Sequence, residues 1–474
     1  MKKDLLSELR RGKNLTTAEM IQLTFKLALP SIIAEVSYLF MSFIDASMVG
    51  SLGANASASV GIVATTTWLL GGIIRSATLG FTVQVAHLYG AENYRDARAV
   101  VLHGVLSVFV IGLVLMSVAL SIAPFLPGWL GGDASIQVDA TKYFMIYAFS
   151  LPCMAVNNTS GGMLQCSGNM KVPSALNVIA CALDVVFNFF LIYPTKVYNL
   201  MGHEITLYRA GMGVRGAALG TTLAAFCCAV AMVYFLMVRS ENLHFRREKR
   251  KRFDRNEITT ALQISLPVAF QNILSGGAQI VSTGIVAPLG KIAISANSFA
   301  VTTEGFCYMP GFGISAAATT MVGQSIGAGR KKTAKKLGWI CMISGMVVMG
   351  IMGALMYVLS YPLVGLLTPV EDIRVLGAAV LRIEAFAEPF FAAMIVGEGV
   401  FRGFKDTMGP SIIDFATMWV VRLPLAFVLS KSMGLRGVWI AMCIQLIISG
   451  AIFLVRMGLK NRNALDLQSA NIER

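Results

Sequence analysis

Twelve runs of apolar residues constrain this chain more than any other feature of its sequence. Each is close to the roughly 20 residues that a helix needs to cross about 30 Å of hydrocarbon. Residues 105–123, 217–238, 340–359 and 437–455 are clear examples. Within hydrocarbon every backbone N–H and C=O must find its partner inside the protein, so runs of this length predict membrane-spanning helices. Composition agrees, because only 14% of the residues are charged where a soluble domain carries about a quarter, and the mean hydropathy is +0.69. The first run continues into a full span without a small-residue cleavage site, so it is expected to remain in the mature protein. The eight cysteines lie mostly inside the runs, show neither a disulfide framework nor zinc-site spacing, and read as packing residues.

The net charge of +14 does not point to nucleic acid, because the basic residues sit between the apolar runs rather than on one face or in one domain. Lys2, Lys3, Arg10, Arg11 and Lys13 precede the first span, and Arg95 and Arg98 follow the second. Arg246, Arg247, Lys249, Arg250, Lys251, Arg252 and Arg255 follow the sixth; Arg330, Lys331, Lys332, Lys335 and Lys336 the eighth; Arg402 and Lys405 the tenth; Lys460 and Arg462 the twelfth. Every second loop is basic, which by the positive-inside rule predicts that both termini are cytoplasmic.

Shifted by 237 residues, the chain superimposes on itself. Pro30 falls on Pro267, Leu52-Gly53 on Leu289-Gly290, Gly90-Ala91 on Gly327-Ala328, Pro152 on Pro389, Gly162 on Gly399 and Pro173 on Pro410. Gly213-Val214-Arg215-Gly216 matches Gly434-Leu435-Arg436-Gly437 at a shorter offset, which places an insertion of about 16 residues around Tyr198 to Tyr208. The expectation is an all-α membrane protein of twelve transmembrane helices in two pseudo-symmetric six-helix lobes. These are residues 15–239 and 259–457, with a basic cytoplasmic linker at 240–258 and a cytoplasmic tail at 458–474. Six spans per half is an even number, so both halves enter the membrane in the same sense, and a cleft between them suits alternating access.

An ionisable side chain inside a span costs about 2.5–3.5 kcal/mol on insertion scales and so marks a candidate site. Asp45 lies near the end of the first span, at 29–50, with Tyr38 and Ser42 on its face, and its repeat partner is Ser282. In the fifth span Asn177, Cys181, Asp184 and Asn188 recur at spacings of 4, 3 and 4, one narrow polar stripe that must turn inward. Asp45, Asp184, Asn188 and Asn177 are therefore the ion-coupling candidates. Glu304, whose repeat partner is Thr67, joins Tyr38, Ser42 and Glu35 as a candidate for the substrate cavity. Asp414, Glu384, Glu388 and Glu398 are also in apolar context, but Arg382, Arg402 and Arg422 are near enough in sequence to pair with some of them. A GxxxxGK[ST] loop and a metal-ligand cluster are both missing, so neither ATP chemistry, a cofactor nor a metal site is expected.

Three segments carry a family resemblance: Phe43-Ile44-Asp45-Ala46-Ser47-Met48-Val49-Gly50-Ser51-Leu52-Gly53, Val322-Gly323-Gln324-Ser325-Ile326-Gly327-Ala328-Gly329-Arg330 and Phe401-Arg402-Gly403-Phe404-Lys405-Asp406-Thr407. With them, nearly the whole chain resembles the prokaryotic multidrug and toxic compound extrusion (MATE) transporters. The resemblance implies the twelve-helix, two-lobe fold and export of cationic drugs or metabolites driven by protons or sodium. It also implies that protonation of Asp45 bends the first helix and releases substrate. The family's fifth helix often reads Asn then Asp, whereas this chain has Asp184 then Asn188. The carboxylates of the sodium-coupled branch are replaced by Ser275 and Phe391, which favours the proton-coupled branch.

The function expected is therefore a secondary antiporter of the bacterial inner membrane. It would act as a monomer among membrane lipids and export organic cations in exchange for H+ or Na+. A lipid-linked oligosaccharide flippase of the same superfamily is the alternative, but that cargo calls for a cationic cavity, and the charges inside the spans here are mainly acidic. An enzyme would need a convergent nucleophile, base or metal set, and none is evident.

Overall fold

A computed structural model describes residues 5–13, 15–200, 203–244 and 255–472. Lys2, Lys3 and the basic linker residues Arg246, Arg247, Lys249, Arg250, Lys251 and Arg252 lie outside them. Among the described residues twelve long helical stretches follow one another, besides the short helices Leu5–Arg10 and Leu126–Trp129: α1 (Thr17–Gly50), α2 (Ala54–Gly90), α3 (Tyr94–Ile122), α4 (Ala134–Ala148, resuming as Ser150–Cys166), α5 (Lys171–Ile192) and α6 (Val214–Tyr234 with a π-helical turn Phe235–Arg239). The second set comprises α7 (Arg255–Val286), α8 (Lys291–Gly327), α9 (Lys331–Leu367), α10 (Glu371–Glu384, resuming as Glu388–Gly403), α11 (Met408–Ala416, a π-helical turn Thr417–Arg422, then Leu423–Met433) and α12 (Leu435–Ile472).

The repeat is visible in the backbone as well as in the letters. Pro152 and Pro389 each lack the N–H that would bond to the fourth residue before, so α4 breaks at Phe149 and α10 over residues 385–387. Gly53 and Gly290 both take positive φ, 113° and 95°, between the first two helices of each half. Gly213 and Gly434, at φ 58° and 59°, open the last helix of each.

Eight of these helices are individually long and apolar enough to cross a membrane: α1, α2, α3, α5, α6, α9, α11 and α12. The halves of α4 and α10 are each shorter than 18 residues. In α7 and α8, Gln, Asn, Ser and Thr lower the hydropathy. The first helix begins well before the apolar run, at Thr17, because a capping box starts it. The Thr16 N–H donates to the Glu19 carboxylate (2.9 Å) and the Glu19 N–H to the Thr16 hydroxyl (3.2 Å).

The insertion of the first half is an antiparallel hairpin, β1 (Pro194–Leu200) with β2 (His203–Ala210), an addition to the expected all-helical chain. Thr195 and Tyr208 bring β propensity to it, and Pro194 sits at the first strand position, where a missing N–H does least harm.

By its contacts the chain forms two compact units. One comprises residues 1–35, 86–92 and 270–474, the other 36–85 and 93–269. In the first, α2 and α8 cross at Gly90 and Gly327 so closely that a Cβ on Gly90 would strike the Gln324 backbone and one on Gly327 the His87 backbone. There the His87 ring Nε2 bonds to the Gly403 carbonyl (2.8 Å). A short helix, Leu5–Arg10, buries Leu5, Leu6 and Leu9 beside this crossing. Arg330 holds it by donating to the carbonyls of Leu9 (2.9 Å) and Lys13 (2.7 Å), and Arg10 lies over the Tyr89 ring. In the second unit His103 of α3 meets Glu257 of α7 at 2.8 Å, and Gln84 of α2 donates to the Glu257 carbonyl (3.0 Å).

Candidate functional site

The polar stripe of α5 is buried where its four-residue spacing brings Asp184 under Asn188, at 1% and 0% exposure. The Asn188 amide donates to Asp184 Oδ2 (3.1 Å) and, across to α1, to Asp45 Oδ1 (2.9 Å). One NH2 group thus ties two carboxylates from two helices. Asp184 Oδ1 and Asn188 Oδ1 are buried with no hydrogen-bond partner among the described residues, whereas Asp45 is partly exposed. Gly220 of α6 makes room for this arrangement, because a Cβ there would collide with Asn188 Oδ1. Gly220→Ala is expected to turn the amide away from Asp45 and to release α1 from α5 with little loss of folded protein; the distance between labels on the two helices and the thermal midpoint, measured together, check this.

Not every residue of the predicted set joins the cluster. Asn177 stands two turns earlier on α5, where its side-chain carbonyl receives the Cys228 thiol (3.7 Å), which also reaches Asn157 (3.2 Å). Tyr38 (55% exposed) and Ser42 lie on the open side of α1. Glu35 is partly buried and falls in the other compact unit. Sequence reasoning missed Tyr143 of α4, which stands beside Asp45, Asp184 and Tyr38 and packs with Val49, Ile192 and Ala217. Its i+4 neighbour Tyr147 donates to the Thr67 carbonyl of α2 (3.2 Å). A tyrosine pair inside an apolar run was the only sequence feature that could have drawn attention to it.

In the second half the same positions carry charge. Glu304 and Glu384, the repeat partners of Thr67 and Tyr147, lie together with the Arg422 guanidinium near both. Glu304 is 7% exposed, Glu384 and Glu388 fully buried. A π turn adds one residue to a helix, so in α11 it brings Arg422 into the phase that Asp184 occupies in α5. The expected ion pairs form only in part. Arg402 binds Glu398 at 2.7 Å, but Arg382 donates instead to the Ser360 hydroxyl (3.1 Å). Asp414 is held by neutral donors, Ser275 (3.0 Å) and Gln271 (3.2 Å), with Gln271 also donating to Glu398 (2.8 Å). The packing geometry of each helix end, rather than sequence distance, selects the partner.

The MatE family matches residues 30–190 and again 267–428. The chain belongs to the MatE family. The second match is one residue longer than the first, in keeping with the π turn of α11. The chain is 27% identical over 442 residues to a probable multidrug resistance protein NorM of Thermotoga maritima, covering 91% of this chain and 90% of that one. A protein of the same name from Idiomarina loihiensis is 24% identical, covering 91% and 92%. Among solved structures, a MATE protein in the straight conformation superimposes with a TM-score of 0.86 at 18% identity, covering 97% of this chain and 98% of that one. That likeness establishes the MatE fold for this chain.

Proposed function

We propose that this MatE chain exports organic cations across the bacterial inner membrane in exchange for protons, and that Asp45, Asn188 and Asp184 form its coupling site. The observation that carries this reading is the amide bridge from Asn188 to both carboxylates. A carboxylate accepts at both oxygens; protonated, it loses acceptor capacity and gains a donor. Protonation of Asp45 would therefore change the amide bond that joins α5 to α1. Pro30 within α1 already removes one backbone hydrogen bond from that helix, so α1 is the element on which such a change would act. The orphan oxygens on Asp184 and Asn188 support a cationic guest at the cluster. The acidic excess around Glu304, Glu384 and Glu388 supports cationic cargo, and the multidrug resistance names of the relatives agree with it. In this reading the lobes 15–239 and 259–457 work as the alternating halves of a monomer, with both termini cytoplasmic.

The test is uptake of a fluorescent cation into proteoliposomes at fixed membrane potential, with either a pH or a sodium gradient, for wild type and Asp45→Asn. The expected result is uptake that follows ΔpH in the wild type and is lost in the variant, the neutral isostere removing the titratable group with little change in volume. Uptake that depends on sodium alone, or an active Asp45→Asn protein, would overturn the assignment.

A further inference from the structure

Among the described residues the hairpin belongs to the first half alone, and one of its side chains reaches aromatic residues at the end of α5, the helix that carries Asp184 and Asn188. Its base is stitched to the last turn of α5: the N–H groups of Gly211, Met212 and Gly213 donate to the carbonyls of Tyr193 (2.9 Å), Leu191 (2.8 Å) and Ile192 (3.0 Å). Just above this base the Arg209 N–H donates to the Thr195 hydroxyl (3.1 Å), which returns a bond to the Arg209 carbonyl (2.9 Å). Arg209 is thus held at a fixed backbone position. Its guanidinium carbon lies 4.2 Å from the centre of the Phe189 ring and 5.8 Å from that of Tyr193. The two rings meet edge to face, with centroids 6.1 Å apart at 66°, and form a corner around the cation.

This corner lies at the end of α5 that carries Asn188. Phe189 follows Asn188 in sequence, and Tyr193 packs in the group that contains Val49, one turn beyond Asp45. The Tyr193 hydroxyl also bonds to Ser51 at the end of α1 (3.0 Å). Arg209, Phe189 and Tyr193 are all partly exposed. With the register of α11 advanced by its π turn, Phe427 is the counterpart of Phe189, and it too carries a cation, Lys431 at 4.2 Å. A cation on this ring position therefore recurs in both halves, although different segments supply it.

Two aromatic faces set at an angle attract any organic cation, and guanidinium stays charged at every physiological pH. We propose that Phe189 and Tyr193 form a release subsite for organic cations, with Arg209 as its tethered resting occupant, displaced by outgoing cargo and returning to expel it. This rests on the reading of the chain as a cation exporter and adds to it a second site and an internal competitor.

The experiment is equilibrium binding of tetraphenylphosphonium to the purified full chain, for wild type, Arg209→Gln, Arg209→Lys and the double variant Arg209→Gln/Phe189→Leu, with thermal midpoints as a control for folding. Arg209→Gln should bind roughly two- to fivefold more tightly, the size of one exposed cation–π contact. Arg209→Lys should stay close to wild type, and adding Phe189→Leu should cancel the gain. Unchanged or weaker binding by Arg209→Gln, with wild-type binding intact, overturns the subsite and leaves the antiport reading standing. Absence of binding by every form, together with absence of proton-driven uptake, removes the antiport reading and this subsite with it.

Discussion

Exchange of Asp184 for asparagine is expected to lower ΔpH-driven uptake by roughly tenfold, because the Asn188 amide then meets a neutral acceptor in place of a charged one, a difference of about 1–1.5 kcal/mol, and each 1.36 kcal/mol is a factor of ten. The variant should still fold. Asparagine keeps an oxygen where Asp184 Oδ2 now receives the Asn188 amide, so the seam within α5 survives while the titratable group is gone. Proteoliposomes at fixed potential, compared with the thermal midpoint of the same preparation, separate the two effects. Proton coupling that is unchanged in Asp184→Asn would make the α5 stripe a packing seam, and Glu304 the next carboxylate to examine.

The second large effect is steric. A valine at Gly90 would drive its Cβ into the Gln324 backbone, and backbone cannot rotate away as a flexible side chain can. Overpacking of an ordinary core costs about 1–3 kcal/mol, and this crossing has less freedom than most. Gly90→Val should lower the thermal midpoint clearly and loosen the Leu5–Arg10 helix, so that a label placed at Leu9, which is 0% exposed, reacts faster. Gly61 and Gly71 of the same helix have nothing within 4 Å of a built Cβ, so Gly71→Ala is the matched control and should behave as wild type. Equal stability of Gly90→Val and Gly71→Ala would show that α2 and α8 part at no cost.

Much of this architecture was legible because proline and glycine act through the backbone. Pro152 and Pro389 break their helices at corresponding places whatever their neighbours are, so the repeat in letters became a repeat in shape. The four-residue spacing of Asp184 and Asn188 likewise fixed their contact, since one turn of helix places them together. What joins them to Asp45 is tertiary, and nothing in the order of residues on α1 specifies it. Tyr143 was hidden for the same reason: an aromatic within an apolar run reads as lipid-facing until the helices are packed. The insertion after α5 could be measured by its length, but its strands could not be told from a polar loop. The π turn of α11 lies just before Pro424, whose missing N–H would have bonded to Val420 within it, but a proline alone does not say whether a helix kinks, breaks or takes an extra residue, and it is the extra residue that brings Arg422 rather than Val421 into phase with Asp184.

The left-handed residues of the two halves carry one more consequence. Glu92, at φ 56°, stands where the second half has Gly329 at φ 75°, and Lys405, at φ 60°, where the first half has Gly168 at φ 97°. A side chain held in that region costs roughly 1–2 kcal/mol that glycine avoids. Each copy therefore bears a strain that the other has relieved, and neither has relieved both. The chain contains its own consensus: a more stable protein for purification could be designed by borrowing, at each of these two turns, the residue its other half already uses.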